Sequence, residues 1–263
     1  MTTEASRFYF TRDNYLALLK KLRESGYQFS TFSKEMDASP KNAFGQRCLL
    51  RHDIDISMDY ALDMAILERE IGVCSTYFLM LRSPMYNLMS RHSTTVLRRL
   101  IDLGHDIGLH FDAGCLRRQG VTLENDIRFE LDILSSLLGQ HVKAFSFHQP
   151  NEKEISSRVE IPGVINTYHP DQLVGYKYIS DSNRVWREMN PFEIAAHGFD
   201  RLHILIHPIW WMCEEAQTMD CWDRAIERNF HSSQQQLLET ERAYGSTRSI
   251  NISKGLVDED SSR

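Results

Sequence analysis

The chain has 263 residues, 42% of them hydrophobic and 25% charged, ordinary usage for a globular protein that excludes a collagen-like, disordered or membrane-spanning chain. Thirty Lys and Arg stand against 36 Asp and Glu, a formal net charge of -6 with neither sign in long blocks, so nucleic acid is not an expected partner. Five cysteines (Cys48, Cys74, Cys115, Cys213 and Cys221) are scattered without a C-x-x-C pair, so reduced thiols are expected and any metal must be held by histidine and carboxylate.

From Thr11 to Gly26 the spacing of Tyr15, Leu18, Leu19 and Leu22 predicts an amphipathic helix stopped by glycine. The opening residues lack a basic start followed by an apolar run, which makes the cytoplasm the expected location. CLLRHDID (residues 48–55) reads as a strand, Ser57 as the N-cap of a helix ending at Gly72, and residues 75–81 as a second strand, together one β-α-β unit. The pattern recurs as a helix over 93–103, a strand over 105–111, a helix over 122–139 and a strand over 142–147. Beyond Pro150 it loosens, with short strands at 164–167 and 176–180, a helix over 191–197, a strong strand at 202–207 and a long helix over 221–244. About seven strands alternating with helices predict an α/β fold whose parallel sheet closes into a barrel. Residues 1–244 read as one domain and 245–263 as a polar, mobile tail.

In such barrels reactive groups lie at the C-terminal ends of strands, where RHDID (51–55), His110-Phe111-Asp112, Phe147-His148-Gln149-Pro150 and His207-Pro208-Ile209-Trp210 all fall. Side chains alternate along a strand, so Asp53 and Asp55 share a face opposite His52 and Ile54. Two carboxylates in one pocket repel unless a cation joins them; the plainer alternative is that one caps the following helix and the other is solvated. His110 and Asp112 share a face by the same rule, and an imidazole beside carboxylates suits zinc or a similar divalent ion; His148 is similarly placed. Pro208 ends the last strand and leaves His207 at the rim, where it can protonate a leaving group, while His203 reads as a core imidazole. Trp210 and Trp211 are either core aromatics or a platform for a sugar face.

These groupings, in this order, resemble the polysaccharide deacetylase (NodB homology) superfamily, the carbohydrate esterases of family 4, and especially its divergent members associated with surface-polysaccharide and O-antigen synthesis. The resemblance spans Cys48 to Trp211. It implies a distorted (β/α)7 barrel of the polysaccharide deacetylase type, with Asp53 as catalytic base and Asp55 as metal ligand, although Ile54 separates two aspartates that are adjacent in the family. His110 matches the first metal histidine; the second would fall four residues on, at Gly114, so His148 in FHQP is the first replacement and Asp112 the second. Asp181 in SDSNRVW resembles the acidic residue that orients the catalytic histidine, Trp186 a pocket-lining residue, and His207 in ILIHP the catalytic acid. What the resemblance implies is a metal-dependent hydrolase, zinc being the first choice of ion. It would remove an acetyl or formyl group from an amino sugar that is free, nucleotide-linked or lipid-carrier-linked. Asp112, Trp186, Trp210 and Trp211 are the candidate substrate-binding residues. The alternatives are a barrel that has lost its metal and binds a saccharide or a partner, and a metal-dependent hydrolase of a non-sugar amide.

Overall fold

The computed structural model describes residues 10–37, 45–115, 119–186 and 188–246. In chain order the elements are α1 (Arg12–Glu24), β1 (Gln28–Ser30), α2 (Phe32–Asp37), β2 (Arg47–Ile54), α3 (Met58–Glu70), β3 (Thr76–Leu79), α4 (Arg91–Asp102), β4 (Asp106–Phe111) and α5 (Leu123–Leu138). They continue with β5 (Ala144–Phe147), α6 (Glu152–Ser156), β6 (Ile165–Asn166), β7 (Lys177–Ser180), β8 (Arg201–Ile206), α7 (Pro208–Met212) and α8 (Thr218–Thr240). The strand order is β6-β5-β4-β3-β2-β8-β7 with β1 beside the start of β2, and every pairing is parallel.

The sheet is curled rather than flat, and side chains meeting across it show how far. Strands are spaced about 4.8 Å apart, so β5 and β2, with two strands between them, would stand about 14 Å apart in a flat sheet. Yet His148, just past β5, brings Nδ1 to 3.4 Å from Oδ1 of Asp55, just past β2. Lower down, Arg51 of β2 donates from Nη1 to Thr167 Oγ1 at 3.0 Å, beyond β6 at the end of the sheet. The chain is a distorted α/β barrel, open between β6 and β7 among the described residues. One close approach inside it requires a glycine: a Cβ on Gly108 of β4 would stand 2.5 Å from the Phe78 ring, which fills the interior beneath Arg51.

The expected strands all form, each within a few residues of its anticipated ends. Ser57 caps α3, its hydroxyl accepting from Tyr60 N at 3.4 Å, so neither Asp53 nor Asp55 is needed as a cap. The expected helix over 191–197 is a turn ending in a 3₁₀ segment at Ile194–His197, and the last long helix starts three residues earlier and ends four earlier than anticipated. The short β1, α2, α6 and α7 carry too few periodic positions to announce themselves. The tail expected from residue 245 lies, from 247 onward, outside the described residues. No helix among the described residues is long and apolar enough to cross a membrane.

On the outer face of β2 the buried carboxylate of Glu68, from α3, is surrounded by donors. His52 Nε2 stands at 2.6 Å, Ser75 Oγ at 2.6 Å and Tyr77 OH at 2.9 Å, and Tyr15 OH donates as well. Burial opposes ionisation of Glu68, but the His52 charge and these hydrogen bonds prevail and hold it down at about 2. A carboxyl depressed in the folded state stabilises the fold fully above its ordinary value of 4.5 and loses that contribution as pH falls toward about 2. The contribution is about 3 kcal/mol. Denaturant unfolding measured from pH 7 down to pH 2.5 should therefore show a smaller loss of stability in Glu68→Gln than in the parent; parallel curves would contradict this account.

Candidate metal centre and catalytic cleft

Strand alternation builds the site from β2 outward. Arg51, Asp53 and Asp55 occur at every second position and point into the barrel mouth, while His52 points outward to Glu68. Arg51 is fully buried and grips Asp53 with both arms, Nε to Oδ1 at 2.8 Å and Nη2 to Oδ2 at 2.6 Å. Its guanidinium lies over Phe78 and Tyr168, 5.4 and 5.1 Å from the ring centres. Burial works against the Asp53 charge, but Arg51 outweighs it with help from His110 and His207, so the carboxyl stays below its ordinary range and ionised.

One step further along the strand, Asp55 Oδ1 faces two imidazoles. His110 Nε2, at the end of β4, stands 3.1 Å away, His148 Nδ1, beyond β5, 3.4 Å, and the two nitrogens are 3.3 Å apart. This near-equilateral triangle of donors is what a tetrahedral ion requires, because ligands about 2.0–2.1 Å from such an ion stand about 3.3 Å from one another. Asp55 Oδ1 is buried without a well-formed hydrogen bond among the described residues. Burial raises the cost of its charge, yet contacts with His110 and His148 hold Asp55 well below the usual carboxylate range. The same carboxylate draws the His148 pKa up, against burial, so the point attracts positive charge. His110 Nδ1 is 2.7 Å from Ser146 Oγ; with that nitrogen as donor, Nε2 presents its lone pair to the triangle. Asp55, His110 and His148 thus fit a divalent cation, with the face toward the cleft open.

On the other side of the cleft, Asp181 is fully buried and accepts from His207 Nδ1 at 2.6 Å, from the His207 backbone N–H at 3.1 Å and from Trp211 Nε1 at 2.8 Å. Nδ1 is thereby committed, and His207 Nε2 is left facing the cleft, 3.9 Å from Asp55 Oδ2. Burial disfavours the imidazolium, but the Asp181 charge and hydrogen bond overcome it and raise His207 to about 9. The cleft holds about 480 Å³ and is walled by Phe147, Tyr168, Trp210 and Trp222 among others.

Three expected substrate contacts are redirected. Pro208 starts α7, so Trp210 and Trp211 diverge by about 100° around the helix. Trp210 lines the cleft, whereas Trp211 is fully buried beneath it and has no face to offer a ligand. Trp186 packs edge-on against Trp211, their ring centres 6.3 Å apart, and does not line the cleft. Asp112 turns back to its own loop, accepting from Gly114 N at 2.8 Å and Cys115 Sγ at 3.1 Å, away from the triangle. Arg51 and Ser146 went without a role in the sequence, although each lies two positions before a site residue and so on the same strand face. Tyr168 and Trp222 reach the cleft through tertiary packing and leave no local signal.

Comparison with known proteins turns up neither a matching family profile nor a matching curated protein. Solved structures of deacetylases resemble the chain. The Streptococcus pyogenes deacetylase PplD, in complex with acetate, matches at 16% identity over 75% of this chain and 81% of that one, with a TM-score of 0.46. Peptidoglycan deacetylase PdaC from Bacillus subtilis matches at 14% identity over 82% and 98%, TM-score 0.40. BA3943 from Bacillus anthracis, a pseudoenzyme of carbohydrate esterase family 4, matches at 11% identity over 72% of this chain, which spans 62% of that one, TM-score 0.40. Values this low carry no chemistry, which stands on the side chains themselves.

Proposed function

We propose that the protein is a metal-dependent hydrolase that removes an acetyl or formyl group from the nitrogen of an amino sugar used in surface-polysaccharide synthesis. The observation that carries this reading is the donor triangle of Asp55, His110 and His148 set between a buried carboxylate, Asp53, and an Asp181-oriented imidazole, His207. Zinc is the preferred ion for two imidazoles and one carboxylate. Held there, it would act as a Lewis acid on the acyl carbonyl.

The chain supplies the rest. Asp53, kept ionised by Arg51, takes a proton from the attacking water at a carboxylate oxygen. His207 gives its Nε2 proton to the departing amine nitrogen, and Asp181 holds the ring in the tautomer and orientation that allow it. Trp210, Trp222 and Tyr168 offer apolar faces to the sugar.

Zinc-loaded protein incubated with a panel of acylamino sugars should release acetate or formate, and chelation should stop it. Asp53→Asn should keep the metal and lose about 10²–10⁴ in turnover. Absence of metal uptake would instead favour a binding barrel, and release from simple amides in preference to sugars a non-sugar amidohydrolase. His207 serves as donor while protonated, fully at pH well below about 9 and by half at that value. Asp181→Asn should therefore move the alkaline limb of the rate profile to lower pH; an unmoved limb would assign it to another group.

A further inference from the structure

Between β6 and β7, where the barrel is open, the connecting segment, residues 167–176, forms no ladder among the described residues. Against this segment lies a separate cavity of about 300 Å³, lined by Thr167, Tyr168, Leu173, Tyr176, Tyr178 and His203 among others. His203 stands opposite Tyr178 in the β7–β8 ladder, their rings edge to face at 5.0 Å, and is 2% exposed. Its Nε2 has no hydrogen-bond partner among the described residues, an omission that a ligand would repair. Burial, reinforced by the Arg51 charge, pushes His203 down to about 3, so the ring is neutral. Nothing in the cavity demands a charged ligand, since Arg51 behind it is paired with Asp53 through both oxygens. Thr167 Oγ1 accepts from Arg51 and keeps its own proton to donate. Aromatic walls with a few fixed polar groups are the lining of a small-molecule site.

We propose that this seam cavity is a second ligand site, taking one neutral, polyhydroxylated ring of monosaccharide size, its C–H face against the tyrosines and a hydroxyl on His203 Nε2. The site stands on its own geometry and does not require the acyl-releasing reading of the cleft. Tyr168 lines both spaces and, with Thr167, contacts Arg51, so an occupant of the seam touches the residues that brace Asp53.

The test is a titration of the full-length protein, labelled with ¹⁵N-histidine, with glucose, galactose and, as a flat-ring control, adenosine. A hexose should shift the His203 ring resonances saturably. Tyr176→Ala and His203→Phe should each weaken its binding at least tenfold, and His203→Gln, which keeps a hydrogen-bonding tip, less than His203→Phe. Tyr176→Ala should leave metal content unchanged, showing that it folds. A silent His203 with every hexose, shifts that persist in Tyr176→Ala, or tighter binding of adenosine than of either hexose would each overturn the proposal. The two readings fail separately: a saturable His203 shift with a hexose but no acyl release from the acylamino-sugar panel refutes the reading of the cleft alone, and acyl release from that panel with a silent His203 refutes the seam site alone.

Discussion

Asp55→Ala should reduce bound metal from one equivalent to none and lower acyl release by about 10³-fold or more. The magnitude follows from Lewis-acid stabilisation of several kcal/mol, at about 1.4 kcal/mol per tenfold in rate. Asp55 is decisive because it supplies the charge: the other two corners of the triangle are neutral imidazoles when they bind a cation, and Oδ1 is the atom both of them face. His148→Ala should behave similarly, whereas Asp112→Ala should keep its metal, since that carboxylate is occupied by Gly114 and Cys115. Metal analysis on the purified variants, beside far-ultraviolet circular dichroism to show that they fold, separates these outcomes. Metal retained in Asp55→Ala, or lost in Asp112→Ala, would reassign the third corner.

Arg51→Met should cost about 3–5 kcal/mol of stability, because it strands the Asp53 carboxylate without its partner in the barrel interior. In a chain of this size that corresponds to a fall in melting temperature of roughly 6–15 °C. The double variant Arg51→Met/Asp53→Asn should recover much of the loss, since removing both charges removes the desolvation penalty along with the attraction. Denaturant unfolding of the three variants forms a cycle. Additive losses would show that the two side chains do not interact in the folded protein, against the paired hydrogen bonds between them.

The order of strands and helices was legible because each parallel strand is a short apolar run followed by an amphipathic segment with its own cap, as with Ser57 and Gly139. The same two-residue period placed Asp53 beside Asp55 and, followed one step back, would have delivered Arg51. The metal triangle was legible only as three strand ends, because the curl that joins β5 to β2 is a property of the whole sheet. Trp210 and Trp211 left core and sugar platform both open for a local reason: proline at the first helical position starts α7, whose 100° step sends consecutive residues to different surroundings, Trp210 to the cleft and Trp211 to the core. No local pattern announces Tyr168, which sits in the segment after β6, or Trp222, which α8 brings against Trp210 with ring centres 5.3 Å apart.

β2 carries ionic groups on both faces, His52 toward Glu68 behind it and Arg51 with Asp53 and Asp55 in front. Sliding this strand by one position against β3 or β8 would exchange the two sets, putting aspartates among the apolar side chains of α3 and an imidazole where the guanidinium belongs. Arg51 and Asp53 would travel together, but Asp55 would be carried away from His110 and His148 and Glu68 would lose His52, a penalty that a purely hydrophobic strand would not impose. The polar side chains of this strand therefore favour one alignment over its neighbours more strongly than greasy side chains alone would.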